Sequence, residues 1–356
     1  MSTILNNENN TNNGNHPPYI IVPKRSGRNF LSGCLFGCSG CLFPFFLLIL
    51  LSMLSTIGAL GSLMTGTITV SPTRQEISGP KDPFVKEAPK VAVITVDGAI
   101  MSTDDFINDQ IEDVLNDETV KAVVLRMDTP GGSVSASDYY YNKLTKLREE
   151  RKIPIVVSMG GVCASGGYYM AMACGTENEG VLFAEPTTWT GSIGVIISSY
   201  DFSGLAAKIG VKEDSIKSHE LKGMGSILRP FTEKEREILQ ALVDDAFGRF
   251  QNVIYTGRKQ FAENHDALIP LATGQVFTTK DALKSGLIDR EGYLEDAIDR
   301  ALELAGLDKK MAQVYRYSET ATLSDLLTAS EEKLGDHPEN RIRQLAVPRA
   351  FYLWGI

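Results

Sequence analysis

Two short apolar stretches, each followed by paired glycines and then by a helical pattern, constrain the fold of this chain most. The first, residues 122–128, runs into Thr129-Pro130-Gly131-Gly132-Ser133 and a helical stretch through Leu147. The second, residues 154–161, precedes Cys163-Ala164-Ser165-Gly166-Gly167 and the small apolar run 168–173. Apolar runs of this length bounded by glycine are typical of buried strands. Two such units about thirty residues apart predict an α/β fold of repeated β-β-α units.

Ser165 is the first candidate catalytic residue. It lies at a predicted strand-to-helix transition, and the two glycines after it leave its hydroxyl uncrowded and let a backbone amide approach whatever that hydroxyl attacks. Consecutive glycines at Gly131 and Gly132 can likewise aim backbone N–H groups at a developing oxyanion. A purely structural glycine turn is the alternative at both places. No lysine follows Gly132 in the phosphate-loop pattern, which disfavours nucleotide binding.

The base that would activate Ser165 is less obvious. The chain has four histidines, which are His16, His219, His265 and His337. A Ser-His-Asp triad would need His219 or His265, and neither has a distinctive setting. A buried lysine can take the serine proton instead, because desolvation makes its own proton easier to lose. The candidates within residues 211–223 are Lys212, Lys217 and Lys222, and their spacing does not choose among them.

Three motifs together resemble the signal peptide peptidase A family, and they come in the same order. They are Thr129-Pro130-Gly131-Gly132, Ala164-Ser165-Gly166-Gly167-Tyr168-Tyr169 and Thr190-Gly191-Ser192-Ile193-Gly194-Val195. Residues 274–278 and 282–289 resemble the closing segment of the family, so the resemblance covers roughly residues 91–300. The family consists of membrane-anchored serine peptidases. The resemblance therefore implies a Clp/crotonase-like spiral of repeated β-β-α units, preceded by one transmembrane helix.

The resemblance also implies the roles of individual residues. Ser165 matches the nucleophile, Lys222 the general base and Ser192 the serine that orients this lysine, whereas Lys217 would be a non-catalytic neighbour. The oxyanion-hole candidates are Gly132 and Gly166. Gly223 departs from the family, which often has an acidic or small polar residue after the lysine. The single-length chain further implies a homo-oligomer in which adjacent protomers share the dyad.

The N-terminal part bears on the compartment. No charged residue lies between Arg28 and Arg74, and residues 42–64 are long enough to cross a bilayer as one helix. Lys24, Arg25 and Arg28 precede this stretch, so the positive-inside rule predicts a cytoplasmic N-terminus. The catalytic domain would then lie on the outer side of a bacterial inner membrane. A buried soluble helix and a cleavable signal peptide are the alternatives.

The chain divides into five predicted segments. These are a disordered, polar cytoplasmic tail with the membrane entry (1–41), the transmembrane anchor (42–64), a linker (65–90), the peptidase domain (91–305) and a C-terminal extension (306–356). Within the peptidase domain, residues 232–255 predict a long helix that opens with a capping box. The aromatic end of the chain, residues 350–356, is interpreted as packing on a neighbouring subunit or on the membrane surface.

Charge and cysteine content limit the possible partners. A formal net charge of −9 argues against nucleic-acid binding. Cys34, Cys38 and Cys41 cluster in an apolar stretch without a fourth ligand, which favours membrane-proximal cysteines or lipidation sites over a metal site. Cys163 and Cys174 are predicted to be buried thiols rather than a disulfide. No metal or organic cofactor is implied.

The sequence thus predicts a membrane-anchored serine endopeptidase that uses a Ser165/Lys222 dyad and an acyl-enzyme. Its expected substrates are leftover signal peptides or other short apolar peptides, with no role for nucleic acid. Three alternatives stand beside this interpretation. They are a non-catalytic membrane scaffold, a crotonase-like acyl-CoA enzyme and a peptidase that uses His219 as its base.

Overall fold

The computed structural model describes residues 72–80, 87–318 and 351–353. A mixed β-sheet with helices packed on it forms the centre of this described region. The strands of the described residues are β1 (Thr73–Ser78), β2 (Lys90–Asp97), β3 (Val120–Thr129), β4 (Gly131–Ser133), β5 (Ile155–Ala164), β6 (Leu182–Ala184), β7 (Trp189–Gly191), β8 (Val276–Thr278), β9 (Arg290–Glu291), β10 (Gln313–Ser318) and β11 (Phe351–Leu353).

Helices alternate with these strands along the chain. Those of the described residues are α1 (Asp105–Asn116), α2 (Val134–Arg151), α3 (Gly166–Ala171), α4 (Ser203–Lys208), α5 (Glu233–Gly257), α6 (Lys259–Glu263), α7 (Thr279–Ser285) and α8 (Leu294–Leu304). Short 3-10 turns occupy Met172–Cys174, Glu220–Gly223, His265–Ala267 and Ile269–Leu271. The expected mixed α/β class is confirmed.

The main sheet runs in the order β1-β10-β2-β3-β5-β6-β9. All of its neighbours pair in parallel except β1, which is antiparallel to β10. Strand β7 pairs in parallel with the end of β5, and β8 pairs antiparallel with β7. Parallel strands need helical crossovers that cover the sheet faces. This explains why β2, β3 and β5 are apolar along most of their length instead of alternating.

The core lies between these strands and their crossover helices. The side chains of residues 91–94 on β2, 122–125 on β3 and 155–157 on β5 are fully or almost fully buried. Helix α8 packs against β3 and β5 through Ala297, Ile298, Ala301 and Leu302, which recur on one helical face. The cysteines of the described region, Cys163 and Cys174, are buried free thiols, as predicted, and burial raises the pKa of Cys174 to about 12.

Helix α5 matches the long helix predicted over residues 232–255. Thr232 is its N-cap, and the side chains of Thr232 and Glu235 exchange hydrogen bonds with each other's backbone N–H, forming the predicted capping box. Its apolar side chains are well buried only in the C-terminal half, through Phe250, Val253 and Ile254. In its N-terminal half the apolar side chains are partly covered at most by the described residues, and Leu242 is 54% exposed.

The sheet extends beyond the predicted peptidase segment on both sides. Strand β1 comes from the stretch interpreted as a linker, and β10 comes from the C-terminal extension; the predicted domain boundaries themselves stay a prediction. Residues 42–64, with the predicted transmembrane anchor, and Cys34, Cys38 and Cys41 lie outside the described residues. Within the described ranges, no helix combines the length and the apolar character needed to span a bilayer.

A buried ion pair ties the end of α5 to the sheet. The guanidinium of Arg258, 6% exposed, lies 2.7 Å from the Asp289 carboxylate and donates to the Gly286 carbonyl. The other Asp289 oxygen accepts the N–H groups of Val181 and Leu182 at 2.9 and 3.0 Å. Burial raises the pKa of Asp289, but the hydrogen bond and charge of Arg258 outweigh it, so this pKa is lowered. The pair therefore holds the β6 start and the α5 end together.

Replacing Arg258 by methionine should destabilise the fold by about 3–5 kcal/mol, because it leaves the Asp289 charge buried without its partner. The free energy of unfolding from urea denaturation of the full chain in detergent measures this loss. Arg236→Met on the exposed face of α5 is the matched control and should change stability by less than about 0.5 kcal/mol. Equal effects of the two substitutions would contradict a structural role for the pair.

Candidate active site

Ser165 stands at the junction between β5 and α3, as the sequence predicts. Its backbone adopts φ +56° and ψ −115°, which residues with a side chain rarely do. Hydrogen bonds hold it on both sides. The Ser165 N–H donates to the Gly191 carbonyl at 2.7 Å, and the Ser165 carbonyl accepts the Tyr169 N–H at 2.9 Å. Such strained residues cluster at functional sites, so this geometry suits a nucleophile.

The two glycines after Ser165 differ in what they contribute. Gly166, a predicted oxyanion donor, is the first residue of α3 and is buried. Gly167 passes so close to the end of β3 that an added Cβ would lie 2.6 Å from the Thr129 side chain and 3.3 Å from its carbonyl oxygen. A larger residue at Gly167 would therefore push α3, and Ser165 with it, away from the glycine-rich turn after β3.

A bulge in β5 determines where Ser165 lies. Met127 pairs with Met159 and Thr129 with Cys163, so a step of two residues in β3 faces a step of four in β5. The Asp128 carboxylate accepts the N–H groups of Gly161 and Val162, at 3.3 and 3.0 Å, in the bulged segment. Bulges change the direction of a strand beyond them. Beyond this one β5 pairs with β7, which places Ser165 beside Gly191.

Asp128 is a site-forming residue that the sequence interpretation missed. The available signal was a charged residue at the end of an apolar strand, directly before Thr129-Pro130-Gly131-Gly132. An exposed carboxylate at a strand end usually needs no explanation from sequence alone. The backbone N–H groups that it accepts lie 33 and 34 residues away in the chain, and no local pattern links them.

Strand β4 carries Gly132, the other predicted oxyanion donor. On one edge β4 pairs with Ile100, whose N–H donates to the Gly131 carbonyl at 2.9 Å and whose carbonyl accepts the Ser133 N–H at 2.7 Å. Because successive residues of a strand direct their N–H groups to opposite edges, the Gly132 N–H points to the other edge. An added Cβ at Gly132 would overlap the Ile100 carbonyl oxygen, so only glycine fits here.

The end of the chain lies along that other edge. Residues Phe351–Leu353 form β11, which pairs antiparallel with β4 and sets Tyr352 opposite Gly132. Helix α3, which follows Ser165, packs beside both β4 and β11. The aromatic tail was expected on a neighbouring subunit or on the membrane. The backbone of residues 351–353 instead adds a strand to β4 of its own chain.

Ser165 and Ser192 share one cavity of about 520 Å³. Ser192 follows β7, has φ +50° and is anchored by its N–H, which donates to the Gln275 carbonyl at 2.8 Å. The remaining lining residues are mostly apolar or small, and they are Ile193, Gly194, Val195, Ile196, Gln240, Val243, Asp244, Phe247, Ala272, Thr273 and Gly274. The cavity therefore offers an apolar surface next to the two hydroxyls.

Lys222, the predicted base, lies elsewhere in the described chain. It belongs to the 3-10 turn Glu220–Gly223, its side chain is exposed, and it does not line the cavity that holds Ser165 and Ser192. Lys217, the predicted non-catalytic neighbour, pairs with Glu213 at 2.7 Å. The structure of a single chain thus brings Ser165 and Ser192 together and leaves the predicted base apart from them.

The histidines of the described region are not alternatives within this cavity either. His219 caps the 3-10 turn, where its Nδ1 accepts the Leu221 N–H at 3.2 Å. The His265 ring stacks on Tyr255 with 3.8 Å between ring centroids. Neither residue lines the cavity of Ser165.

Residues 213–229, called the lysine loop below, are tied together by two charged groups. The Glu213 carboxylate accepts from Lys217, from Ser215 at 3.1 Å and from Ser226. These bonds, that of Lys217 first, hold the pKa of Glu213 at about 2. Gly223 packs on the end of the Lys217 side chain, so an added Cβ there would require that flexible side chain to move.

The second charged group is Arg229, at the end of the lysine loop. Its guanidinium donates to the Gly223 carbonyl at 2.8 Å and to both oxygens of Glu235, at 2.8 and 2.5 Å. Glu235 is 1% exposed and also accepts the Thr232 N–H at 2.9 Å as part of the α5 capping box. The bond from Arg229 is the main reason that the pKa of Glu235 lies at about 2. The lysine loop is thereby fastened to the start of α5.

Exposed apolar side chains are concentrated between the cavity and the lysine loop. They belong to residues that precede, form or follow α4, and they are Ile196, Tyr200, Phe202, Leu205, Ile209, Val211 and Ile216. Single exposed apolar residues are ordinary, but a succession of them within one short segment is typical of an interaction surface.

The Arg229–Glu235 pair should make stability depend on pH. Its carboxylate has a folded pKa of about 2, below the value of about 4.3 for an unfolded glutamate. The stabilisation is therefore complete above about pH 5 and is lost as the pH falls towards 2. Glu235→Gln should reduce the free energy of unfolding by about 1.5–3 kcal/mol at pH 7, and the deficit should shrink at pH 3. Urea denaturation at both pH values measures it, and a deficit independent of pH would contradict the assignment.

Comparisons with known proteins identify the family of this chain. A model of peptidase family S49 matches residues 147–308. A putative protease of Synechocystis sp. is 36% identical over 251 residues, which are 70% of this chain and 87% of that protein. A putative signal peptide peptidase SppA of Enterococcus faecium is 37% identical over 190 residues, or 53% of each chain. A solved mutant of the 1510-N membrane-bound stomatin-specific protease, in complex with a substrate peptide, is 19% identical, with a TM-score of 0.42 over 68% of this chain and 98% of that one.

The family match includes Ser165, Ser192 and the lysine loop, whereas Gly132 and Asp128 precede the matched region. The Synechocystis protein is covered over most of its length at an identity well above the level of chance similarity. This chain therefore belongs to peptidase family S49 and is a serine peptidase.

Proposed function

We propose that this peptidase is a membrane-anchored endopeptidase that cleaves leftover signal peptides or other short apolar peptides. Ser165 is the nucleophile, Lys222 the general base and Ser192 the residue that orients the lysine, while the backbone N–H groups of Gly132 and Gly166 bind the oxyanion. The observation that carries this proposal is the strained Ser165 at the wall of an apolar cavity that also contains Ser192. The name of the Enterococcus relative supports the substrate class.

The chemistry follows from these roles. Neutral Lys222 takes the proton of the Ser165 hydroxyl as the oxygen attacks the peptide carbonyl. The negative charge that develops on the carbonyl oxygen is met by the N–H groups of Gly132 and Gly166. The lysine ammonium then gives its proton to the leaving amine, and an acyl-enzyme remains on Ser165. A water molecule that loses a proton to Lys222 attacks the ester, and the returned proton restores the serine.

The dyad is completed by a second copy of the chain. In the single chain Lys222 is exposed and does not line the Ser165 cavity, although Ser165 and Ser192 both line it. The exposed apolar residues run along the chain from Ile196 at the cavity to Ile216 in the lysine loop, where a neighbouring protomer would cover them. A homo-oligomer that buries this segment can bring the lysine loop of one protomer to the cavity of the next.

Peptide substrates would bind as extended strands along β4. The edge of β4 that faces away from Ile100 is paired with β11 in the antiparallel sense, with Tyr352 opposite Gly132, and a substrate strand would take the place of β11 there. The addition of a strand to a sheet edge is a common way to bind an extended peptide, since main-chain hydrogen bonds provide affinity for many sequences. The apolar lining by Ile193, Val195 and Phe247 would favour small or apolar substrate side chains.

The cellular setting belongs to the same proposal. The Clp/crotonase-like spiral, the transmembrane anchor at residues 42–64, the cytoplasmic N-terminus and a catalytic domain outside the bacterial inner membrane rest on the sequence pattern and on the family resemblance. The family membership favours neither the acyl-CoA enzyme nor the non-catalytic scaffold. The exposed position of His219 outside the cavity gives no support to a histidine base.

Cleavage of a signal-peptide-like peptide by the full chain in detergent tests the dyad. Ser165→Ala and Lys222→Ala should each reduce kcat by about 10³-fold or more, because each removes a group that takes part in the bond changes. Lys212→Ala, at an exposed lysine just outside the lysine loop, is the matched control, and it should retain most of the activity. Full activity of Ser165→Ala, or loss with Lys217→Ala and not with Lys222→Ala, would contradict the assigned residues.

Deletion of residues 351–356 should raise kcat/KM for an extended peptide several-fold, because β11 no longer competes for the edge of β4. Deletion of residues 355–356 alone leaves β11 in place and serves as the control. If both truncated chains cleave the peptide at the rate of the intact chain, the substrate does not use this edge.

A further inference from the structure

We propose that Arg229, held in place by Glu235, is a positioning residue that sets the location of Lys222 for catalysis. This inference rests on the proposed role of Lys222. It goes beyond the family resemblance, which assigned no role to Arg229 or Glu235. The supporting observation is that the Arg229 guanidinium donates to both oxygens of the Glu235 carboxylate. The same guanidinium also donates to the carbonyl of Gly223, the residue directly after Lys222.

The backbone around Lys222 needs such support. The 3-10 turn Glu220–Gly223 is one turn long, and within it the Lys222 N–H donates to the His219 carbonyl at 3.0 Å. Beyond the turn, the Ser226 N–H donates to the Gly223 carbonyl at a longer 3.3 Å. Short 3-10 segments have poorer hydrogen-bond geometry than α-helices, so such a turn is weakly determined by its own bonds. The Arg229 bond to Gly223 is shorter, at 2.8 Å, and it comes from a charged donor.

Glu235 makes this contact rigid because its own position is determined by α5. The carboxylate is buried and accepts the Thr232 N–H at the helix N-cap, so its orientation is coupled to the start of a 25-residue helix. The planar guanidinium binds both carboxylate oxygens, which fixes its orientation as well as its distance. Hydrogen bonds thus connect the start of α5, through Glu235 and Arg229, to the peptide unit beside Lys222.

A second tie acts on the same loop from the other side. Glu213 binds Lys217 and Ser226, which flank Lys222 in the sequence. Its bond to Lys217 occupies that ammonium, which leaves Lys222 as the lysine of this segment whose side chain is presented to the exterior. With both sets of hydrogen bonds in place, the backbone conformation of the lysine loop is set before the chain assembles with a neighbouring protomer. Because misplacement of a catalytic group by about 1 Å can cost about 100-fold in rate, this shaping matters for the reaction.

The first measurement compares homogeneous variants of the full chain in detergent. Arg229→Ala should lower kcat for peptide cleavage about 10- to 100-fold with little change in KM, since the base is displaced while the substrate edge is intact. Arg229→Lys should recover only part of the loss, because an ammonium cannot bind carboxylate and carbonyl through a planar fork. Arg236→Ala, which removes an exposed arginine from the first turn of α5, is the matched control. An unchanged kcat for Arg229→Ala overturns the proposal.

Mixed oligomers separate positioning from general stability. Chains with Ser165→Ala donate only the lysine, and chains with Lys222→Ala donate only the serine, so their mixture should recover activity if the dyad is shared. Arg229→Ala on the lysine-donating chain should reduce the recovered kcat about 10-fold or more. The same substitution on the chain that already lacks Lys222 has no lysine to position and should leave the recovered rate near its starting value.

The outcomes distinguish this inference from the proposed function. An equal loss from both placements of Arg229→Ala shows that Arg229 only stabilises the fold, and the positioning role fails. A mixture without recovered activity means that the dyad is not shared, and the homogeneous variants then decide the role of Arg229. Full activity of Lys222→Ala overturns the assignment of the base and the positioning role together.

Discussion

The hydrogen bonds from two backbone amides of β5 to the carboxylate of Asp128 are the interaction on which the active site depends. They stabilise the bulge in β5, beyond which Cys163 still pairs with Thr129 of β3 on one edge. On the other edge the end of β5 pairs with β7, and the first backbone N–H beyond β5, that of Ser165, bonds to the Gly191 carbonyl. The strained backbone of Ser165 is therefore maintained by the surrounding sheet, which agrees with the way strain is retained at functional sites.

The two halves of the proposed dyad are supported by different kinds of structure. Ser165 and Ser192 follow strands of the sheet, and both have a backbone N–H bonded to a neighbouring carbonyl. Lys222 lies on a short turn in a region with many exposed apolar side chains, and its surroundings are organised by Glu213 and Arg229. The sheet holds the proposed nucleophile within one chain, whereas the proposed base is placed by an ionic network and, in the proposed oligomer, by assembly. The single chain thus holds Ser165 and Ser192 in one cavity that Lys222 does not line.

The glycine-rich strand β4 shows how one edge can serve several purposes. Pairing with Ile100 fixes the strand and excludes any side chain at Gly132. The opposite edge then presents backbone groups, and β11 already uses them. An edge that can accept an extended chain without regard to its side chains suits the proposed substrates, which share apolar character more than a defined sequence.

Local sequence pattern was sufficient to predict several of the strands and helices of this protein and the position of Ser165 between two of them. The apolar runs 122–128 and 154–161 predicted β3 and β5, the capping box at Thr232 predicted α5, and the glycines around Ser165 predicted its place between strand and helix. These features depend on neighbours in sequence, namely on hydrophobic periodicity, capping and backbone freedom at glycine. Asp128, Arg258 and Arg229 could not be assigned in this way. The first two act on backbone groups or charges more than thirty residues away, and Arg229 acts through a carbonyl that only a folded loop brings to it.

The amino-acid sequence alone determined the family, the nucleophile candidate and the order of the strands and helices that present it, because motifs and periodicity are properties of contiguous residues. The tertiary structure decided how Ser165 meets Ser192 in one cavity, why Gly132 and Gly167 admit no side chain, and where the end of the chain pairs. It also left Lys222 outside that cavity. Distances between segments remote in sequence depend on strand register, on the β5 bulge and on packing, and those are set only when the whole sheet forms.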